Sequence, residues 1–442
     1  FSTLGWPDET PDYKYFYPTT YMETGYDILF FWVARMIMMG IEFTGEVPFH
    51  TVYLHGLVRD EQGRKISKTL GNVIDPLVLM DEFGTDALRF TMLVGSTPGN
   101  DTNVGPKKVE ANRNFANKIW NVGRFVINAI TELRDQRVEA SPQSRVSTYT
   151  LADSWIWARL QQLVRDVDRL FQTFQYGEAG RQIYEFLWSD FADWYVEVSK
   201  GQMQRPETRD LTISTLARVF DTSLRLLHPF TPFVTEELWG HLRQAILQSP
   251  TLAPGASAGV SSLASDWPQA LIVAPWPEPR QPEGWEESKI ADFELVQEIV
   301  RSIRNLRAEK GVAPSKRIAA TIAAGAKMEL LQEQSNVLAS LAGLSESELV
   351  IVRSLSDKPK DSIALVTGAV EIYLPLAGMV DLTEEKTRLE KELKEAKSHI
   401  ERLEKLLGGD FANKAPAALV QKEREKLTAY KETAEKIQAQ LK

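Results

Sequence analysis

Gly63-Arg64-Lys65-Ile66-Ser67-Lys68-Thr69-Leu70-Gly71-Asn72 is the stretch from which the rest of the chain can be read. Its two lysines lie three positions apart, with a serine between them and a glycine on either side. Such a loop can place two ammonium groups around a polyphosphate. Lysine is a compact point charge on a flexible stem, suited to following phosphate charge as it redistributes. The flanking glycines let the backbone approach closely and pivot. Taken alone, the same residues also describe a lysine-rich surface turn.

The sequence on either side narrows the choice. Val52-Tyr53-Leu54-His55-Gly56-Leu57-Val58 is short, apolar and β-branched, and predicts a strand entering the loop. Asp75-Pro76 closes the loop, and a helical segment is predicted from Leu77 to Val94. The run from Leu54 to Pro76 resembles the second signature loop of class I aminoacyl-tRNA synthetases, usually Lys-Met-Ser-Lys-Ser. Ile66 replaces Met and Thr69 replaces the second Ser, and both lysines remain. Asp86-Ala87-Leu88-Arg89-Phe90 also matches that family.

Upstream, an apolar helix is predicted over roughly 26–40, with Asp27 a lone carboxylate at its mouth. Asp27 could accept charge-assisted hydrogen bonds from a substrate ammonium. It could equally sit in the first turn of an amphipathic core helix, favoured by the dipole. Thr24-Gly25-Tyr26-Asp27-Ile28-Leu29-Phe30-Phe31-Trp32-Val33-Ala34-Arg35-Met36 resembles the valine-specific members of the family, whereas the isoleucine enzymes typically carry Gly-x-Asp-Gln there. The resemblance implies a pocket in which Asp27 holds the ammonium of valine and Ile28 and Trp32 wall its side chain. It implies ATP as substrate, accompanied by Mg2+, with Lys68, Gly56 and Asn72 as its ligands. Lys65, Ser67 and Lys68 take the catalytic roles, and no zinc is expected.

Composition sets outer limits. The 442 residues suffice for two to four domains, and 43% hydrophobic with 25% charged residues describes an ordinary globular protein. With no cysteine, disulfides and thiolate zinc sites are excluded, which suits a cytoplasmic protein. Five scattered histidines give no metal-ligand spacing. No apolar run is long enough to predict a membrane span. The net charge of −9 argues against nucleic acid only on average, because a local basic stripe is enough.

The expected architecture is an α/β nucleotide-binding half-domain, an all-α helical bundle, a small α+β module and a C-terminal antiparallel coiled-coil hairpin. Residues 1–105 fit the second half of a doubly wound domain. Residues 106–248 are amphipathic, and four helices are predicted: Lys107–Leu133, Leu151–Thr173, Gly177–Lys200 and Ile213–Arg243, with polar connections such as Gln202–Asp210. The segments from Leu187 to Tyr195 and from Leu227 to Trp239 resemble the anticodon-binding bundle of the valine, isoleucine and leucine enzymes. On the first bundle helix Arg113, Asn117, Lys118, Asn121 and Arg124 recur at helical spacing, as a tRNA-reading face or as a solvated one.

Residues 249–285 read as an irregular connection and 286–378 as the α+β module, with strands near 317–322, 348–352 and 369–374 and a helix near 327–343. In 379–442, Leu389, Leu393, Ala396, Ile400, Leu403 and Leu407 follow heptad spacing, and Val420, Leu427, Tyr430 and Ala434 repeat it after Gly408-Gly409-Asp410. The pattern fits a dimerisation coiled coil or a hairpin. The valine enzymes carry such a hairpin against the tRNA elbow.

The resemblance therefore implies activation of valine with ATP and transfer to its tRNA by a monomeric enzyme. The family's first signature, His-x-Gly-His, does not occur, since no two histidines are three residues apart. Neither does its editing domain. A hydrophobic valine pocket rejects threonine only weakly, a limit for which this family is the standard illustration. The chain is thus expected to be a C-terminal portion that is not fully active alone. The alternative is a non-catalytic tRNA-binding module.

Overall fold

The computed structural model describes residues 1–94, 97–138, 149–249, 267–357, 359, 361–375 and 382–408, with several helical positions between 421 and 434. Two compact units emerge, Phe1–Phe293 and Glu294–Lys442. The helix Glu286–Glu309 runs through the boundary.

The first unit opens with a parallel strand pair, Thr19–Gly25 beside Phe49–His55, in a register that sets Gly25 opposite His55. Both strands therefore end at the same edge, the carboxyl edge where α/β sheets place their ligands. The segment that links them is less regular than its periodicity predicts. A tight turn Tyr26–Ile28 leads into wide turns over Leu29–Val33, and regular helix begins only at Ala34–Thr44. Gly45, with φ +77°, ends it in the left-handed conformation.

The predicted strand 52–58 is displaced, ending at His55 and resuming as Val58–Arg59 beside Thr102–Asn103. Gly56 forces this break. A Cβ there would lie 1.7 Å from the Asn100 carbonyl oxygen, so the two backbones meet where only glycine fits. Likewise the helix predicted over 77–94 is two helices, Pro76–Phe83 and Thr85–Leu93, divided at Gly84 (φ +90°). The first is capped by Asp75, whose side chain accepts from Leu77 N–H, with Pro76 in its first turn. Leu79, Phe83, Ala87, Leu88, Val104 and Val109 form the core beneath the lysine loop, and Val58 and Ile74 at the loop's two ends pack onto it.

The bundle consists of the helix Pro106–Val138, the helix Leu151–Gln172, a continuous helical stretch from Tyr176 to Gln202 with wide turns over Phe186–Tyr195, and the helices Pro206–Leu227 and Pro232–Leu247. The single helix predicted over 213–243 is thus two, and the connection expected over 202–210 is largely helix. Proline explains both differences, since it starts helices at Pro206 and Pro232 and cannot continue one through Pro229. Thr150 and Asp153 close a capping box on the second helix. Buried Asp153 also accepts from Tyr195 Oη at 2.5 Å, which ties the box to the bundle core. Residues 250–266 of the expected connection lie outside the described residues.

In the second unit a four-stranded sheet has the order Leu344–Val352, Ile318–Ala323, Val370–Pro375, Ser362–Thr367. Its first pair is parallel and the others antiparallel. The strand Ser362–Thr367 adds to the three expected, and the expected helix near 327–343 is two short ones, Met328–Glu333 and Ser335–Ala342. A helix then runs over Leu382–Leu407. His399 stacks on Tyr430 at 4.9 Å, and Lys431 Nζ lies 2.6 Å from Glu404. Leu403 and Ala434 are buried. The expected break at Gly409-Asp410 and the start of the second heptad run at Val420 lie outside the described residues.

Candidate active site

The lysine loop is built from its stem outward. Asp60 is 5% exposed and is the hub. Its Oδ1 accepts from Gln62 N–H at 3.1 Å and Arg64 N–H at 2.8 Å, and its Oδ2 accepts from Arg64 Nε at 2.8 Å and Asn72 Nδ2 at 2.9 Å. The Asn72 amide and then the Arg64 donors hold this carboxyl at about 2 against the opposing effect of burial. Gly63, at φ +77°, supplies the left-handed turn that brings Arg64 back onto Asp60.

Asn72 spans the loop from the far side. Its Oδ1 accepts from Ser67 N–H at 2.9 Å, and its Nδ2 donates to the Lys65 carbonyl at 3.2 Å. Ser67 Oγ in turn accepts from Thr69 N–H at 3.1 Å, so its hydroxyl shapes the turn that carries Lys68. Lys68 is exposed, and its side chain makes no hydrogen bond or ion pair among the described residues, while its carbonyl accepts from the Gly71 N–H at 3.2 Å. Lys65 reaches the other way, its Nζ 3.4 Å from Asp27 Oδ2.

This places the expected amino-acid and phosphate residues side by side at the carboxyl edge of the parallel pair. Asp27 follows directly after the strand that ends at Gly25, against which its Oδ1 packs. Ile28 and Trp32 lie on the adjoining turns and are open to solvent, Trp32 at 59% exposure. Gly56 meets the Asn100 backbone, so its place in the site is set by close packing. Sequence reasoning missed Asp101, which has a structural part here. It accepts from Leu57 N–H at 2.8 Å and from Arg59 Nε, and these two donors and Tyr26 hold its carboxyl low, the Leu57 N–H most strongly. No motif marks Asp101, because its partners are more than forty residues away.

The tRNA candidates separate into two groups. Lys118 Nζ pairs with Asp193 at 2.6 Å and sits 3.8 Å over the Trp188 ring. Arg113 donates to Glu110 and Asn114 and stacks over Phe83. Asn117, Asn121 and Arg124 face solvent. No group of three acidic or histidine side chains arranged to hold a metal occurs among the described residues, and no described helix is long and apolar enough to cross a membrane.

Three family descriptions match the chain in series. They are tRNA synthetases class I (I, L, M and V) over residues 1–105, the anticodon-binding domain of tRNA ligase over 153–322, and the valyl tRNA synthetase tRNA binding arm over 381–442. The valine–tRNA ligase of Dehalococcoides mccartyi is 45% identical over 99% of this chain and 47% of its own length. That of Symbiobacterium thermophilum is 42% identical over 100% and 48%, and that of Bacillus subtilis 40% identical over 100% and 48%. The chain spans about half the length of the curated relatives it matches. From the first strand pair onward, its sequence is similar to the valine–tRNA ligases along about half of their length.

Proposed function

We propose that this chain carries the lysine-loop part of a valine–tRNA ligase active site, with the tRNA-binding elements that follow it. The observation that carries the reading is the meeting of Lys65 with Asp27 at 3.4 Å. A carboxylate suited to an amino acid's ammonium lies beside the loop suited to a nucleotide's phosphates.

In the proposed reaction a carboxylate oxygen of valine attacks the α-phosphorus of ATP. The bond to the bridging oxygen breaks, and pyrophosphate leaves with its charge. The terminal hydroxyl of the tRNA then attacks the valyl carbonyl, and AMP departs. Neither step needs a covalent bond to the protein. Both need reactants held in line and cations where charge gathers. Lys68, free to move, follows the pyrophosphate, and Lys65 lies between the two substrates. Mg2+ would enter on the ATP phosphates.

Ile28 and Trp32 become pocket walls once the apolar face that includes Phe30, Phe31 and Met38 is covered. All five are exposed, and a two-stranded parallel sheet normally has both faces covered. The relatives' additional length is consistent with such a cover. Asn117, Asn121 and Arg124 are proposed for anticodon contacts. The His399–Tyr430 and Glu404–Lys431 contacts support an antiparallel hairpin as the tRNA arm.

Valine-dependent exchange of radiolabelled pyrophosphate into ATP by the full-length protein tests the reading. Exchange that valine stimulates and leucine does not is expected. tRNA binding without any exchange would favour the non-catalytic module.

A further inference from the structure

Asn72 has the look of a nucleotide ligand in sequence, yet both ends of its carboxamide are spent on the chain. We infer that Asn72, seated on Asp60, is a positioning residue that sets the main-chain path from Lys65 to Ser67 and so the spacing of the two ammonium groups. The inference rests on the proposed ligase site and assigns a different role to one of its residues.

The geometry is that of a missing strand partner. One side chain accepts from the Ser67 N–H at 2.9 Å and donates to the Lys65 carbonyl at 3.2 Å, bracketing Ile66 from both sides. Its second amide proton goes to Asp60 Oδ2 at 2.9 Å. Asp60 is itself fixed by Gln62 and Arg64, and its own N–H donates to the Arg64 carbonyl at 3.0 Å. The stem is therefore held by a buried carboxylate, while the lysine tips remain in solvent. A loop of this kind can move as its phosphate ligand changes without losing register. Displacement of a catalytic cation by about 1 Å can cost on the order of a hundredfold in rate.

The chemistry of the bridge supplies its own test. Asn72→Asp preserves shape but sets a second carboxylate against Asp60, and two carboxylates in contact do not both stay ionised. When the pair shares a proton, the O–H restores the link to Asp60 and the other oxygen still accepts from the Ser67 N–H, while the Lys65 carbonyl goes without its donor. The charged groups facing this pair are the Arg64 guanidinium on Asp60, the Arg59–Asp101 pair, and Lys65, whose ammonium is turned to Asp27. The carboxylates among these, Asp101 and Asp27, are paired with Arg59 and Lys65 rather than with the bridge.

The experiment compares wild type, Asn72→Asp and Asn72→Ala in the full-length protein. One readout is valine-dependent pyrophosphate exchange between about pH 6 and 8, and the other is hydrogen exchange at the Ser67 amide. Asn72→Ala is expected to lower kcat about tenfold or more with KM for ATP within about threefold, and to unprotect the Ser67 amide. Asn72→Asp is expected to recover toward wild type as pH falls. A raised KM for ATP at unchanged kcat in Asn72→Ala, or an Asn72→Asp to wild-type ratio flat across pH, would overturn the inference. Unchanged Ser67 protection in Asn72→Ala would overturn it with or without catalysis. Absence of exchange in wild type would instead count against the ligase reading.

Discussion

Asp27 and Lys65 meet across an Oδ2–Nζ distance of 3.4 Å, although one follows a strand end and the other lies on the lysine loop. The carboxylate proposed for valine's ammonium is thus already partnered by the Lys65 ammonium. In the proposed site, valine and Lys65 would compete for Asp27, and a bound amino acid would release Lys65 toward the nucleotide. Such a partly exposed pair is worth up to about 1 kcal/mol. Lys65→Ala should therefore tighten valine binding by up to about fivefold in calorimetry while slowing exchange. Weaker valine binding in that variant would show that Lys65 supports the amino acid directly.

The Lys68 side chain is exposed and makes no hydrogen bond or ion pair among the described residues. Its removal should cost little stability, and Lys68→Ala should leave the unfolding midpoint and valine affinity near wild type. Adenylate formation should fall by on the order of a hundredfold or more, since only charge developing in the transition state is left unopposed. Stopped-flow measurement of the single-turnover step separates the two effects. Exchange at the wild-type rate would remove Lys68 from the chemistry.

The lysine loop stood out in sequence because its proposed function depends on consecutive residues. Two lysines, a serine and bracketing glycines carry their meaning wherever they fold. The parts that sequence left hidden depend on distant partners. Asp86 and Arg89 form part of a recognised run, but only the structure shows what they hold. Asp86 accepts from Val234 N–H at 2.7 Å and Phe233 N–H at 3.3 Å, capping the helix Pro232–Leu247, and Arg89 donates to the Pro229 carbonyl at 3.0 Å. Periodicity likewise ran through Pro229, because apolar spacing on either side of the break stays in phase. Lys118 read as a solvent-facing cation because neither Asp193 nor Trp188 is near it in the chain.

Gly56→Ala should be among the costliest single-methyl changes in the protein. Its Cβ would meet the Asn100 carbonyl carbon at 2.2 Å and the oxygen closer still, and neither atom is a flexible tip. A loss of about 3 kcal/mol or more is expected in urea titration, against about 1 kcal/mol for Gly71→Ala, where the neighbourhood is open and only the positive φ is strained. Equal effects at the two sites would mean that the Asn100 segment yields.

Two carboxylates should give opposite pH dependences of stability. Asp60 titrates at about 2 in the folded chain, chiefly through the Asn72 amide, and near 4 when unfolded. Its contribution is full above about pH 4 and is lost as pH falls toward 2. Burial raises Asp86 more than the Val234 and Phe233 N–H groups lower it, so folding favours its protonated form. That contribution is present in acid and is lost as pH rises through the folded value. The stability difference between wild type and Asp60→Asn should shrink as pH falls from about 5 to 2.5, while Asp86→Asn should flatten a slope of the other sign. Urea midpoints across that range check both.

On the bundle, Arg124→Gln should weaken tRNA binding and lower the slope of log affinity against log salt by about 0.7 to 0.9. Lys118→Gln should act chiefly on stability, because it breaks the Asp193 pair and the contact with the Trp188 ring. Filter binding across a salt series separates them. Identical slopes for Arg124→Gln and wild type would place Arg124 outside the RNA contact.

The most direct measurement is a crystal structure of the full-length protein with a non-hydrolysable valyl-adenylate analogue. The analogue's ammonium is expected within hydrogen-bonding distance of Asp27, and its phosphate mimic within reach of the Lys65 and Lys68 ammonium groups. An analogue bound in order elsewhere, with Asp27 still paired to Lys65, would contradict that expectation.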